Sequence, residues 1–228
     1  MGNKVVVVFS GGMDSYTVLH KAAREGFEVL PLTFNYGQKH NKEIEYAEHA
    51  CIALGVVPKV VDITAINQLI AGSSLTSDIE MPEGHYADDN MKSTVVPNRN
   101  MILLSLAVGY AVSSDAHKVF YGAHSGDHEI YPDCRPEYIA SFQKMANLAT
   151  KSAIEGKSIK IHTPLISLSK SEIICIGERS GIDYSLTVSC YQANKDGLAC
   201  GKCDSCRLRR EGFKSSNIKD PTQYVISI

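Results

Sequence analysis

The sequence of 228 residues lacks a long apolar run. The longest such run near its middle, residues 101–112, is interrupted by Ser105 and is too short to span a bilayer. At the N-terminus only five apolar residues precede the first polar glycines, which is too few for a signal peptide. We therefore expect a cytoplasmic protein that has no membrane partner and keeps its thiols reduced.

The chain also lacks a strong excess of charge of either sign. Its formal net charge of −2 provides no global basic field, so no direct nucleic-acid partner is expected, although a local basic patch is not excluded. A composition of 44% hydrophobic and 21% charged residues is that of an ordinary globular protein. The length suits one sizeable domain with a small appendage.

Apolar periodicity indicates strands that alternate with helices along most of the chain. The pattern predicts strands at 4–9, 27–36, 58–63 and 117–123, helices at 13–25, 39–55, 99–114 and 136–154, and a strand, turn and helix within 160–181. This alternation predicts an α/β fold with a doubly wound, mainly parallel sheet. Residues 71–96 show no periodicity, which favours a functional loop or a lid.

A glycine-rich turn joins the first strand to the first helix, and no lysine follows its glycines as a Walker loop requires. A third glycine, needed for a dinucleotide fingerprint, is also absent. The turn instead resembles the SGGxDS signature of the PP-loop ATP pyrophosphatases. The segment consists of Phe9, Ser10, Gly11, Gly12, Met13, Asp14 and Ser15.

Glycines allow this backbone to come close to an anion, and the start of the helix supplies N–H donors. We interpret the segment as a loop that binds ATP and holds pyrophosphate as the leaving group. A tight strand-to-helix turn capped by Ser10 is the structural alternative.

Four of the seven cysteines cluster near the C-terminus, at Cys190, Cys200, Cys203 and Cys206. Gaps of two residues suit one tetrahedral metal ion, and four thiolates leave no open position, so a structural Zn²⁺ is expected. An iron–sulfur cluster is the rival, followed by unligated thiols.

Basic side chains surround these cysteines, and they either offset the charge of the thiolates or form a solvated helix face. They are Lys202, Arg207, Arg209 and Arg210. We predict an ATP-binding α/β domain at 1–185 and a zinc-binding segment at 186–228 that packs on it.

Further polar residues follow predicted strands, where the carboxyl edge of a parallel sheet would place a site. Arg99 begins a helix as a fixed cation. Lys170 also lies at a helix start, where it opposes the helix dipole and therefore needs an anionic partner. Both could instead be ordinary surface cations. His124 and His128 are interpreted as polar lining.

Together these segments resemble the QueC family, the 7-cyano-7-deazaguanine synthases. The resemblance includes SGGMDS, NYGQKH, YPDCR, TPLISLSKSE and the cysteine set, and it covers nearly the whole chain. It implies a fold like that of the adenine nucleotide alpha hydrolases. Two segments depart from the usual family pattern: Asn98 replaces the glycine of PGRN, and HSGDHEI precedes YPDCR.

The resemblance implies a homodimeric ligase that uses ATP, Mg²⁺ and structural Zn²⁺ to convert 7-carboxy-7-deazaguanine and ammonium to a nitrile. The acid is first adenylated, and ammonia then displaces AMP to give the amide. A second ATP activates the amide oxygen, and loss of AMP leaves the nitrile.

Residue roles follow from the same resemblance. Asp14 would lie near Mg²⁺, and Lys170 and Arg99 would offset charge on the phosphates. The residues implied to bind the substrate are Asp127, Tyr131, Asp133 and Arg135. Asp133 could alternatively cap the helix that begins near Pro136.

Three other functions stay open. The same acid could be activated and conjugated as an amide to another amine, for instance on a protein. The chain could be a tRNA-thiolating PP-loop enzyme, which the near-neutral charge disfavours. It could also be a zinc-stabilised binding module that has lost catalysis.

Overall fold

The computed structural model describes residues 3–38, 42–70, 72–76 and 93–225. Five parallel strands form one sheet in the order β3-β2-β1-β4-β5. They are β1 (Lys4–Val8), β2 (Glu28–Asn35), β3 (Lys59–Asp62), β4 (Lys118–Phe120) and β5 (Lys160–His162). The helices are α1 (Met13–Arg24), α2 (Lys42–Ala53), α3 (Arg99–Ser113), α4 (Pro136–Ala149), α5 (Lys151–Ile154), α6 (Lys170–Arg179) and α7 (Asp204–Ser216).

The central strand β1 is buried on both faces, which explains its unbroken run of valines. Val5 and Val7 lie in a core that includes residues of α1, α2, α6 and α7. Val6, on the opposite face, lies in a second core with residues of α3 and α4. Helices therefore cover both faces of a parallel sheet, and the predicted doubly wound fold is confirmed.

The strand order changes direction between β1 and β4. From β1 the chain proceeds to β2 and β3 on one side, and it then returns to place β4 on the other side of β1. In an open parallel sheet this reversal opens a crevice at the carboxyl ends of the two strands. The loop after β1 and the polar segment after β4 both lie at this crevice.

Two local features differ from the sequence-based expectations, and a third prediction is not tested. The single helix predicted at 136–154 is two helices, since Thr150 adopts an extended conformation between α4 and α5 (φ −110°, ψ 130°). Arg209 on α7 is 1% exposed, so a solvated helix face is the wrong interpretation for this residue. Most of the loop predicted at 71–96 lies outside the described residues.

The C-terminal segment packs directly on the sheet domain. Phe213 of α7 lies in the same core as β1 and α1. Gly212 lets α7 approach α6 closely, because a Cβ at this position would stand 2.6 Å from the Lys170 Cγ. The division of the chain at residues 185 and 186 stays a prediction. None of the described helices has the length and apolarity needed to cross a membrane.

Asn98, which replaces the glycine usual in the family, has a left-handed backbone conformation immediately before α3 (φ 57°). Glycine adopts this conformation freely, and asparagine tolerates it better than other residues with a Cβ. The departure from PGRN therefore preserves the backbone that positions Arg99.

We expect Asn98→Ala to destabilise the protein by about 1 kcal/mol, since alanine lacks the side chain that eases the left-handed conformation. Asn98→Gly should leave stability within about 0.5 kcal/mol of the wild type, because glycine carries no Cβ. Thermal or urea unfolding of the two variants measures both changes. Equal stabilities of the alanine and glycine variants would contradict the backbone explanation.

Candidate active site

A cavity lies at the carboxyl ends of β1, β2 and β4, and it includes the point between β1 and β4 where the strand order reverses. The loop after β1, the start of α3, the segment after β4 and the C-terminal segment contribute to its wall. Of the site residues inferred from the sequence, those that line it are Phe9, Ser10, Gly12, Met13, Asp14, Ser15, Arg99, Asp127 and Tyr131.

The loop after β1 has the geometry of an anion cradle. Gly11 adopts a positive φ of 80°, and a Cβ there would stand 2.5 Å from the Glu43 carbonyl oxygen. The Ser10 and Ser15 hydroxyl oxygens lie 3.1 Å apart at the edge of the loop. Gly12 is the N-cap of α1 and no side chain caps this helix, so its first N–H groups remain available to a phosphate. Ser10 therefore does not cap α1, although its Oγ accepts a hydrogen bond from the Gly12 N–H at 3.4 Å within the turn.

Lys170 has the anionic partner that its position at a helix start demands. Its Nζ lies 2.8 Å from both carboxylate oxygens of Asp14 in the loop. Burial alone would raise the pKa of Asp14, but the Lys170 ammonium holds this pKa below its usual value. The loop thus presents an ionised carboxylate with its own counterion beside the phosphate cradle.

His124, interpreted from the sequence as polar lining, is buried behind this ion pair. Its Nε2 lies 2.9 Å from the Lys170 Nζ, and its Nδ1 accepts a hydrogen bond from the Gly126 backbone N–H at 3.0 Å. Burial and the neighbouring Lys170 cation lower the pKa of His124, which favours the neutral ring. The contact joins residues 46 positions apart, so no sequence spacing signals it.

Arg99 faces the cavity, so it is not an ordinary surface cation. Its Nη1 lies 3.4 Å from the Tyr36 hydroxyl, and its Nε donates to the Asn100 side-chain oxygen at 3.2 Å. These contacts hold the guanidinium at the start of α3, where Arg99 lines the same cavity as the loop after β1.

The residues inferred to bind the substrate fall into two groups. Asp127 and Tyr131 line the cavity, and the Tyr131 hydroxyl lies 2.8 Å from the Thr94 hydroxyl. Asp133 and Arg135 are not among the cavity-lining residues in the described part of the chain. Arg135 donates from Nε to the His128 carbonyl oxygen at 2.7 Å. Asp133 does not cap α4, whose N-cap is Arg135 and has no side-chain cap bond, so that alternative is wrong.

Sequence reasoning missed two cavity residues that carry chemistry, Glu43 and Cys134. The Cys134 Sγ lies 3.4 Å from the Tyr121 hydroxyl, and burial raises the pKa of this thiol to about 12. It therefore stays a neutral thiol in the cavity wall. Burial also raises the pKa of the Glu43 carboxyl, to about 7. The available signals were the position of Glu43 three residues after NYGQKH and the position of Cys134 within YPDCR.

The four C-terminal cysteines converge as one set of candidate metal ligands. All four Sγ atoms lie within 4.8 Å of one another, and two of the pairs are separated by 4.0 Å. Sulfurs bound to one zinc ion at about 2.3 Å would lie about 3.8 Å apart, so the arrangement fits a single tetrahedral ion. Backbone N–H groups also point at the sulfurs, for example from Cys200 to the Cys190 Sγ at 3.2 Å. These donors stabilise thiolates.

The metal centre is adjacent to the cavity. The segment that carries the cysteines contributes four residues to the cavity wall: Val188, Ser189, Tyr191 and Ser205. Arg209 fixes this segment, since it donates to the Thr187 hydroxyl at 2.8 Å and to the Tyr184 carbonyl oxygen at 3.0 Å. Its Nε also pairs with Asp220 at 3.1 Å. Loss of the metal would therefore disturb one wall of the site.

Similarity to known proteins extends along nearly the whole chain. A family model described as "Queuosine biosynthesis protein QueC" matches residues 4–217. A Pseudoalteromonas atlantica protein named 7-cyano-7-deazaguanine synthase is 57% identical over 224 residues, which cover 98% of this chain and 100% of the relative. A protein of the same name from Alteromonas mediterranea is 55% identical, with the same coverage.

Solved structures resemble the chain in fold. A 4-thiouridine synthetase in complex with RNA and bound ATP has a TM-score of 0.51 at 16% identity, and the match covers 93% of this chain and 53% of that one. NMN synthetase from Francisella tularensis has a TM-score of 0.49 at 15% identity, over 95% and 78% of the two chains. At 16% identity the likeness to the 4-thiouridine synthetase concerns the fold alone.

Proposed function

The chain belongs to the QueC family of queuosine biosynthesis proteins, and on this premise we propose that it is an ATP-dependent carbon–nitrogen ligase. It converts 7-carboxy-7-deazaguanine and ammonia to 7-cyano-7-deazaguanine. The observation that carries the proposal is the convergence, in one cavity, of a phosphate cradle without a Walker lysine, the Arg99 cation and the Asp127 carboxylate.

In the first stage the substrate carboxylate attacks the α-phosphorus of ATP, and pyrophosphate leaves. The N–H groups at the start of α1 and the Ser10 and Ser15 hydroxyls, which lie together at the loop, would bind this leaving group. Lys170 and Arg99 offset the negative charge that develops on the phosphates. Asp14 would hold Mg²⁺, which supplies Lewis-acid charge neutralisation between phosphate oxygens.

In the second stage ammonia adds to the acyl-adenylate, AMP leaves, and one proton is released to give the amide. The amide oxygen then attacks a second ATP and again expels pyrophosphate. Loss of AMP and of the two remaining nitrogen protons produces the nitrile. Both adenylations require the same departure of pyrophosphate, so one loop serves both.

Asp127 and Tyr131 would contact the substrate acid. Asp133 and Arg135, which stand outside the cavity lining, would support the wall formed by residues 131–135. For the metal centre we propose one structural Zn²⁺, because four converging sulfurs fit a single ion. A [4Fe–4S] cluster attaches each cysteine to a different iron, which spreads the sulfurs further apart. The active form would be a cytoplasmic homodimer.

Product analysis by mass spectrometry tests the proposed reaction. Incubation of the protein with ATP, the deazaguanine acid and ammonium should yield the nitrile, with two AMP and two pyrophosphate for each nitrile formed. Omission of ammonium should stop the reaction at the acyl-adenylate. ADP as the sole nucleotide product would contradict the proposal. A product that stays at the amide, or an amide joined to another amine, would favour the conjugating alternative.

A further inference from the structure

Glu43 supplies the cavity with a carboxylate to which the reaction described above assigns no role. It is the second residue of α2 and lines the cavity together with Arg99, Tyr36 and Tyr191. Its position is fixed, because its carbonyl oxygen packs against Gly11 so closely that no Cβ would fit between them. Any movement of Glu43 would therefore disturb the phosphate loop.

The Glu43 carboxylate is also uncommitted. Within the described ranges it makes no hydrogen bond and no salt bridge, although it lies in the electrostatic field of Arg99. The other two carboxylates of the cavity are already engaged. Asp14 is held by Lys170, and Asp127 accepts a hydrogen bond from the His124 backbone N–H at 3.2 Å. Glu43 thus keeps both oxygens for a ligand.

The charges around Glu43 limit the kinds of ligand that its carboxylate can bind. In its ionised form Glu43 repels phosphates and the carboxylate of the acid, which disfavours both as direct partners. The Arg99 guanidinium already acts on this carboxylate and opposes a second cation such as ammonium or Mg²⁺ beside it, while Cys190 acts on Glu43 in the opposite direction and more weakly. A neutral group with hydrogen-bond donors is repelled neither by the Glu43 carboxylate nor by the Arg99 guanidinium.

The proposed substrate has such a group. The pyrimidinone ring of a deazaguanine carries a ring N–H beside an exocyclic amine, and these two donors point in the same direction. Two parallel donors match the two oxygens of one carboxylate, and hydrogen bonds to a charged acceptor are among the stronger ones. Tyr36, Tyr131 and Tyr191 line the same cavity and offer flat apolar faces to a planar ring.

We propose that Glu43 determines specificity for the substrate by accepting hydrogen bonds from the ring N–H and the exocyclic amine of the deazaguanine. The assignment rests on the proposed function, since it presupposes a deazaguanine acid as substrate. It makes Glu43 the residue that distinguishes a guanine-like acid from one that lacks the amine.

The test combines a substitution in the protein with a change in the ligand. Wild type and Glu43→Gln are compared with the natural acid and with an analogue that lacks the exocyclic amine. Wild type should prefer the natural acid by about 100-fold in kcat/KM, because the analogue leaves part of a buried acceptor unpaired. Glu43→Gln should lose about 10- to 100-fold with the natural acid, mainly through KM, and should discriminate between the two acids by less than about 5-fold.

Glu45→Gln is the matched control, since Glu45 lies on the same helix but is exposed to solvent. It should retain the wild-type preference. Thermal unfolding and ATP binding of Glu43→Gln establish that the fold and the loop are intact. Unchanged discrimination in Glu43→Gln overturns the proposal, as does a defect confined to the KM for ammonium or to the dependence on Mg²⁺.

A direct binding measurement tests the role of Glu43 without depending on the proposed reaction. Calorimetric titration of wild type and Glu43→Gln with each acid measures the preference without turnover. If wild type binds the natural acid in preference to the analogue, Glu43→Gln loses that preference and wild type forms no nitrile, the proposed function fails and the assignment of Glu43 stands. If nitrile forms and the preference is equal in both proteins, the assignment of Glu43 fails alone.

Discussion

Replacement of Lys170 by methionine is expected to lower the rate of AMP formation by about 100- to 1000-fold, the range found when one charge-stabilising group is removed from an active site. The ammonium lies 2.8 Å from both oxygens of Asp14, at the mouth of the phosphate loop. Its removal deletes the cation that offsets phosphate charge and leaves the Asp14 carboxylate without its partner. The pKa of Asp14 should then rise, because Lys170 is the main group that holds it down.

Release of AMP and pyrophosphate in single-turnover experiments measures this effect directly. Lys151→Met is the control, since Lys151 lies on α5 with its side chain 89% exposed, and its activity should equal that of the wild type. Lys170→Arg should recover only part of the rate, because a planar guanidinium cannot reproduce the contacts of a compact ammonium with both Asp14 and His124. Activity of Lys170→Met within about 5-fold of the wild type would show that Lys170 has no role in charge stabilisation.

Replacement of Cys203 by serine is expected to release the metal and to lower the melting temperature by about 10 °C or more, as the loss of a structural metal destabilises a small domain by several kcal/mol. Cys203 is 1% exposed and immediately precedes α7. Displacement of α7 would remove Gly212 from its contact with Lys170 and would disturb the wall formed by Val188, Ser189 and Tyr191. ATP binding should therefore fall together with stability.

Elemental analysis of the purified protein, combined with thermal unfolding, tests this expectation. Wild type should carry about one zinc per chain, as four thiolates complete one tetrahedral site, and the Cys203→Ser protein should carry almost none. Cys175→Ser is the control, because Cys175 lies on α6 outside the cluster, and its metal content should be unchanged. Iron with a broad visible absorption would overturn the zinc assignment, and full zinc occupancy in Cys203→Ser would overturn the ligand set.

The features that the sequence by itself determined are those set by short-range spacing. An unbroken valine run identified β1 as a strand buried on both faces, and the SGGxDS pattern identified the loop after it. Gaps of two residues between Cys200, Cys203 and Cys206 brought their sulfurs together, because backbone geometry fixes the reach of side chains so close in sequence. The motifs in their order also identified the family.

The tertiary structure alone decided which distant residues meet. Lys170 and Asp14 are 156 residues apart, and only the packing of α6 beside α1 joins them and places His124 behind them. The burial of Arg209 depends on partners at Tyr184, Thr187 and Asp220, which lie outside α7. The sequence of α7 by itself therefore did not reveal this burial. Glu43 became a site residue only because the start of α2 packs against Gly11. Such contacts depend on how several elements pack around a shared core, and no local sequence pattern encodes that packing.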